Sequence, residues 1–327
     1  MRVVFMGTDR FAIPALKAIV KSGVELICVI TQPDQPKGRG LKLTPSPIKT
    51  VALECNIPVY QPERIRDKQF IEKIKQEFKP ELIIVVAFGQ ILSKAILDMP
   101  EYGCINIHPS LLPKYRGAAP IRRAVMNGEM ETGVTLMFMD EGEDTGDIIH
   151  QEHVSIELSD SADILSEKLA EISADMLLKV LIEEDGSPVE SLILPHYPQD
   201  HSKATHAPKL AKEEGLINWG KSAYEIHNLI RGIVPWPGAY TTFQSTGLSD
   251  VKTIRIWESV LPESSIEKEA KAQSGSIIGV TSGSGIIVKT GDGELVINTV
   301  QPADKAKMKA KDFINGYRLK IGDIFGK

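Results

Sequence analysis

The sequence predicts an α/β N-terminal domain built on a mostly parallel sheet, followed by a smaller β-barrel domain. Three observations carry this reading. Residues 2–6 and 25–31 are apolar strands flanking a helical stretch, and a strand–helix–strand opening implies parallel pairing. Residues 81–87, rich in β-branched side chains, fit a strand buried on both faces. Beyond residue 239 the pattern changes to short strands at 239–243, 253–258, 276–280, 285–290 and 294–300, separated by Gly-containing turns. A length of 327 residues suits about two domains.

In chain order, Asp9 is placed to cap the first helix, with Pro14 in its first turns. The turn before it holds only Gly7, with Asp9 and Phe11 where a dinucleotide fingerprint needs more glycine, so nicotinamide binding is not expected. A long polar loop at 32–49 interleaves Lys37, Arg39, Lys42 and Lys49 with Gly and Pro. Loops of this length are functional or solvated flaps, and basic groups on such a loop suit contact with a phosphate backbone. Helices are expected at 46–55, 67–78, 118–127 and 160–181, with a short strand at 58–60.

The chemistry concentrates in residues 103–147. Asn106 and His108 stand two apart in the apolar run 104–108, a spacing that puts both side chains on one face of a strand. Pro109 and Pro113 end that strand and stiffen the following loop. A second strand, at 134–139, runs into an acidic Gly-rich turn bearing Asp144. An amide donor, an imidazole and a carboxylate near strand ends suit acyl transfer to a neutral amine. Asn can hold the developing oxyanion. His can donate to it or move a proton, and Asp can fix the imidazole tautomer or take the amine's proton. The bland alternative is a structural strand histidine beside a turn-forming asparagine. No Ser or Cys is set as nucleophile, so direct attack by the substrate's amine is the economical reading.

Composition bounds the rest. The net charge is −5, which is no nucleic-acid signature for the whole chain. It is uneven, however: residues 207–327 carry 16 Lys and Arg against 13 Asp and Glu, or +3, and the remainder 22 against 30, or −8. That polarity hints at an anionic partner for the C-terminal half. Cys28, Cys55 and Cys104 lack metal-ligand or disulfide-framework spacing. His196, His201 and His206 in the aperiodic stretch 186–208 match no metal geometry, so no metal is expected. With no leader pattern and no apolar run of about 18 residues, a soluble, cytoplasmic protein is expected.

The motif Asn-Ile-His-Pro-Ser-Leu-Leu-Pro-Lys-Tyr-Arg-Gly at 106–117, followed by Asp-Thr-Gly-Asp at 144–147, resembles the formyltransferase family that uses 10-formyltetrahydrofolate. Further matching motifs are Phe-Met-Gly-Thr (5–8), Gln-Pro-Asp with Gly-Arg-Gly (32–40), Ala-Pro-Lys (207–209), Pro-Trp-Pro-Gly-Ala (235–239) and Asp-Phe-Ile-Asn-Gly (312–316). The basic loop and the C-terminal motifs single out the branch acting on tRNA. His206 and Val234 depart from the residues usual in that branch.

The resemblance implies a Rossmann-like, folate-binding catalytic domain at 1–190, a linker at 191–207 and an OB-like, tRNA-binding domain at 208–327. By matching position Asn106, His108 and Asp144 are the expected catalytic trio, and Ser110, Leu111, Leu112 and Pro113 the expected folate-lining loop. Lys37, Arg39 and Lys42 are the expected tRNA contacts. The implied partners are 10-formyltetrahydrofolate as formyl donor and initiator methionyl-tRNA as acceptor, with no metal, no membrane and a monomeric enzyme. Two rivals stand beside this: a formyltransferase acting on a small amine such as a nucleotide-sugar or glycinamide ribonucleotide, and a non-catalytic tRNA-binding protein.

Overall fold

A computed structural model of the chain describes residues 1–37, 42–244, 251–262, 272–283 and 285–326. These divide into two compact units. The first comprises Met1–Pro120, Glu131–Ser155 and Leu165–Ala207; the second comprises Ile121–Met130, Ile156–Ile164 and Pro208–Lys327.

The first unit opens with strand β1 (Arg2–Gly7), helix α1 (Ile13–Ser22) and strand β2 (Glu25–Ile30). The Asp9 carboxylate accepts the Phe11 N–H at 3.0 Å, which caps the entry to the helix. A hairpin, β3 (Gln35–Lys37) and β4 (Lys42–Thr44), occupies part of the basic loop. Then follow α2 (Pro47–Glu54), β5 (Val59–Tyr60), α3 (Lys68–Lys73), β6 (Leu82–Val86), α4 (Lys94–Leu97) and β7 (Cys104–His108). After α5 (Pro120–Met126), which belongs to the second unit from Ile121 on, come β8 (Glu131–Phe138), β9 (Ile148–Ser155) and α6 (Ala162–Leu181), which belongs to the first from Leu165 on. The sheet order is β5-β2-β1-β6-β7-β8-β9. Pairings from β5 through β7 are parallel, and β8 and β9 add antiparallel to that edge. The mostly parallel sheet expected from the sequence is therefore present.

Both faces of the central strands are covered. Val4, Met6, Cys28, Ile30, Ile83, Val85 and Cys104 share one core with Ile74, Phe78, Leu92 and Ile96. The alternate residues Val3, Phe5, Val29, Ile84 and Ile105 are fully buried as well. Burial pushes the Cys28 and Cys104 thiols up to about 12, so both behave as inert core residues.

The structure departs from the sequence reading in several elements. The helix expected at 67–78 is α3 followed by a wider π-type turn at Ile74–Phe78, which ends at Lys79 in the left-handed region (φ 45°). Strand β9 was not anticipated. It is the sheet's edge strand, and its mixed polar sequence, Ile-Ile-His-Gln-Glu-His-Val-Ser, gives a weak apolar signal. Helix α8 (Ala310–Tyr317) was not anticipated; its Ala310 and Phe313 are buried, and the Tyr317 ring meets Phe243 edge-on with centroids 5.4 Å apart.

In the second unit α7 (Ala223–Gly232) begins with a capping box. Ser222 Oγ accepts the Glu225 N–H at 3.2 Å, and Glu225 Oε2 accepts the Ser222 N–H at 3.1 Å. Strands β10 (Ala239–Phe243), β11 (Lys252–Val260), β12 (Ile277–Val280), β13 (Ile286–Lys289) and β14 (Glu294–Pro302) pair antiparallel in the order β10-β11-β14-β13-β12. Strand β15 (Met308–Lys309) adds to β14.

The chain's last residues close this sheet. Gly326 N–H donates to the Thr242 carbonyl at 2.8 Å on the β10 side, and Phe325 N–H to the Gly275 carbonyl at 2.8 Å on the β12 side. Both edges are thereby bridged into a small barrel. Phe325, 3% exposed, stacks on Trp219 with centroids 5.8 Å apart. Replacing Phe325 by Ala in the full chain should cost about 3–5 kcal/mol, read from denaturant unfolding of the second unit. A loss below about 1 kcal/mol would remove Phe325 from this closure role.

Candidate active site

The strand period and the switch in pairing direction build the site. β7 is the last strand paired parallel with its neighbour, and beside it β8 runs antiparallel. Asn106 lies opposite Met137 and His108 opposite Thr135. His108 is 4% exposed, while Asn106 is half-buried. The acidic turn after β8 brings Asp144 back to them. Asn106 Nδ2 donates to Asp144 Oδ1 at 3.4 Å, and His108 Nδ1 lies 3.5 Å from Asp144 Oδ2. The three residues singled out from the sequence thus meet at one point.

Their hydrogen bonds define what each can do. His108 Nε2 lies 2.9 Å from the carbonyl oxygen of Tyr115. A carbonyl only accepts, so Nε2 carries a hydrogen, and in the neutral ring the lone pair is then on Nδ1, the nitrogen beside Asp144. The tautomer is therefore set by the Tyr115 carbonyl rather than by Asp144. Gly117 N–H donates to Asp144 Oδ2 at 2.8 Å, which holds the carboxylate between the imidazole and the loop. The longer contact to Asn106 orients that amide nitrogen-first toward Asp144 and leaves its second N–H for a ligand. Asp144 itself has φ 54°, a left-handed conformation uncommon for a residue with a side chain.

The loop at 109–117 is held by buried polar groups. Thr135 Oγ1, fully buried, donates to the Ser110 carbonyl at 2.6 Å and accepts the Leu112 N–H at 3.2 Å. Gln151 Nε2 donates to the Leu112 carbonyl at 3.0 Å and to Thr135 Oγ1 at 2.8 Å. Ser110 Oγ is itself spent on the Lys114 carbonyl at 2.7 Å. Leu112 packs with Met137 and Ile148. Within the expected folate loop, then, Ser110 and Leu112 are anchors, and Leu111 and Pro113 are the half-buried, reachable pair.

Other expected residues separate. Lys37 and Lys42 are register partners in the β3–β4 hairpin backbone, and Arg39 lies outside the described residues. Lys49 is occupied: its Nζ sits 2.9 and 2.8 Å from Asp34 Oδ1 and Oδ2. Hydrogen bonds from Lys49 and Gln61 hold the Asp34 carboxyl below the usual carboxylate range. The three linker histidines go to different partners. His196 Nδ1 meets the Leu194 carbonyl at 3.0 Å, His201 Nδ1 meets Arg116 at 3.1 Å, and His206 bridges to the Arg116 backbone. Among the described residues, no group of three or more His, Cys, Asp or Glu could hold a metal.

An open groove of about 1170 Å³ lies at the ends of β2, β5 and β6, lined by Gln32, Arg64, Ile65, Gly89 and Gln90 among others, and it contains none of the trio. Its lining residue Gln32 donates through Nε2 to the Phe88 carbonyl at 2.9 Å, and that carbonyl also accepts from Thr8 Oγ1 at 2.9 Å. Glycine suits position 89 because its φ of 79° lies in the left-handed region that residues with a side chain rarely adopt. Sequence reasoning missed the supporting residues Tyr115, Gly117, Thr135 and Gln151. Tyr115 and Gly117 lie inside the motif that was legible, but they act through backbone groups, which carry no side-chain signal.

The family model described as formyl transferase matches residues 1–181, and the one described as formyl transferase, C-terminal domain, matches residues 209–318. The methionyl-tRNA formyltransferase of Desulforamulus reducens is 45% identical over 328 residues, covering 100% of this chain and 98% of the relative. That of Clostridioides difficile is 46% identical, with 100% of both chains covered. Among solved structures, the N-formyltransferase from Helicobacter canadensis in complex with folinic acid and dTDP-3-aminofucose aligns with a TM-score of 0.63. It covers 92% of this chain and 99% of that one at 21% identity, so it speaks to the fold alone. The chain belongs to the formyl transferase family, and within it to the methionyl-tRNA formyltransferases.

Proposed function

We propose that the chain moves the formyl group of 10-formyltetrahydrofolate onto the α-amine of initiator methionyl-tRNA, with Asn106, His108 and Asp144 as the catalytic residues. The observation that carries the reading is the convergence of those three side chains at the end of β7, in a chain whose full-length relatives bear that name. The donor carries its formyl group as an amide on N10. Transfer forms one C–N bond, breaks another, and moves one proton from the attacking amine to the departing nitrogen.

Each residue's part follows from its bonds. Asn106 donates its second N–H to the formyl oxygen as negative charge gathers there. His108 Nδ1, unprotonated in the tautomer fixed by Tyr115, takes the amine's proton, and the resulting cation is met by Asp144. The imidazole can then return the proton to the leaving nitrogen or turn it toward the oxygen. Residues 110–113 line the folate, with contact falling to Leu111, Pro113 and the backbone. On this reading residues 1–190 form the catalytic domain, 191–207 the linker and 208–327 the tRNA-binding domain of a cytoplasmic monomer. Among the described residues no helix is long and apolar enough to cross a membrane.

For the tRNA, the basic loop with Lys37, Arg39 and Lys42 is one proposed contact. The barrel's outer face offers a second. Arg255 pairs with Tyr240 on one side and Gln301 on the other, and Trp257 Nε1 donates to Gln301 Oε1 at 3.0 Å. Lys307 Nζ lies 3.3 Å from the Trp257 ring centroid. Aromatic and cationic groups interleaved on a barrel face suit single-stranded ends and phosphates. A small-amine acceptor is the lesser reading, since it leaves that face and the basic loop without a role.

Two sets of outcomes follow. His108→Ala and Asp144→Asn should each lower turnover at least about a hundredfold while the far-ultraviolet circular dichroism stays that of the parent. Turnover near the parent value in either variant would overturn the assignment. Arg39→Ala, Lys42→Ala, Trp257→Ala and Lys307→Ala should weaken tRNA binding by roughly fivefold or more, leaving folate affinity unchanged. For the three cationic positions the loss should shrink as salt rises. Binding that ignores both salt and these substitutions would exclude the proposed surfaces.

A further inference from the structure

We infer that Gln199 is a positioning residue for formyl transfer, holding the Asp144 turn against the loop that carries the Tyr115 carbonyl. The inference rests on the reading of Asn106, His108 and Asp144 as the catalytic set. Gln199 lies far from these residues in sequence, within a stretch that has no helical or strand period. Yet it is only 5% exposed.

All of its amide capacity is used. Nε2 donates to the Asp144 carbonyl at 3.0 Å and to the Gly146 carbonyl at 2.7 Å. Oε1 accepts from Arg116 Nε at 3.1 Å and from Arg116 Nη2 at 2.6 Å. Reversing the amide would set N–H groups against the guanidinium and a bare oxygen against two carbonyls, so only one orientation works. One side chain thus joins the acidic turn, the loop after β7 and the linker. Arg116 also meets His201 Nδ1 at 3.1 Å, and its backbone pairs with Thr205 and Ala207 at 2.9 and 2.7 Å.

The turn needs such a brace. Asp144 sits in the left-handed region, and Gly146 is packed so closely that a Cβ there would strike the Phe138 carbonyl. The backbone of a strained turn relaxes unless its surroundings over-determine it. Relaxation would carry Asp144 away from both Asn106 and His108, and a misplacement of about 1 Å can cost about 10²-fold in rate. Gln199 touches neither substrate nor reacting atoms in this arrangement; it acts through Asp144.

The test uses the full-length enzyme and steady-state formylation of charged initiator tRNA by 10-formyltetrahydrofolate. Gln199→Glu keeps size and the Arg116 pair but loses both donated bonds; Gln199→Leu loses all four. Each should lower kcat by about tenfold or more with KM for both substrates within about twofold. In an Asp144→Asn background the same substitutions should add little, because their effect passes through that carboxylate. If they keep their full effect in that background, or raise KM with kcat unchanged, Gln199 is a general brace and the inference fails. If Asp144→Asn alone turns over like the parent, the underlying catalytic reading fails instead. Thermal unfolding of each variant, above the assay temperature, separates both results from simple loss of fold.

Discussion

The Asp144 carboxylate is the constraint on which the site depends, because its two oxygens bring Asn106, His108 and the Gly117 N–H to one point. One oxygen orients the Asn106 amide; the other takes the Gly117 N–H and faces the His108 ring. A carboxylate with several donors can hold its charge in a partly buried place, where an unpaired one would be costly. The backbone behind it is awkward, left-handed at Asp144 and crowded at Gly146, and is tied down from the linker side. A flexible acidic turn is in this way made into a fixed element.

The fold supplies what the turn cannot. Strand β7 has partners in opposite directions on its two sides, so Asn106 and His108 emerge where the parallel sheet ends and the antiparallel edge begins. Thr135, from the antiparallel neighbour, satisfies both the Ser110 carbonyl and the Leu112 N–H of the following loop. That buried hydroxyl keeps the loop close enough for the Tyr115 carbonyl to reach His108. Rigidity in the scaffold and polarity at its edge are therefore separate contributions from separate strands.

Much of this was legible in the sequence, and the reasons are physical. The alternation at 104–108 fixed which side chains share a face, and the β-branched run at 82–86 announced a doubly covered strand. The barrel strands were readable because Gly turns punctuate them. Other features were hidden. Strand β9 sits at an edge and mixes polar with apolar residues, so no period exposes it. Helix α8 is eight residues long and buries two side chains, too few for a clear period. Gln199 and the Tyr115 carbonyl matter through hydrogen bonds to distant backbone, and no local pattern records which carbonyl a side chain will find. The tautomer of His108 lies beyond sequence for the same reason.

The central claim is that the end of β7 is where the formyl group changes hands. The most direct measurement is the single-turnover rate of formyl transfer to charged initiator tRNA by Asn106→Ala, with folate affinity measured in parallel. The predicted result is a rate lower by about 10²–10³ with folate affinity unchanged, as expected on losing one donor to a developing oxyanion. A rate close to that of the parent enzyme would contradict the claim and place the chemistry elsewhere in the chain.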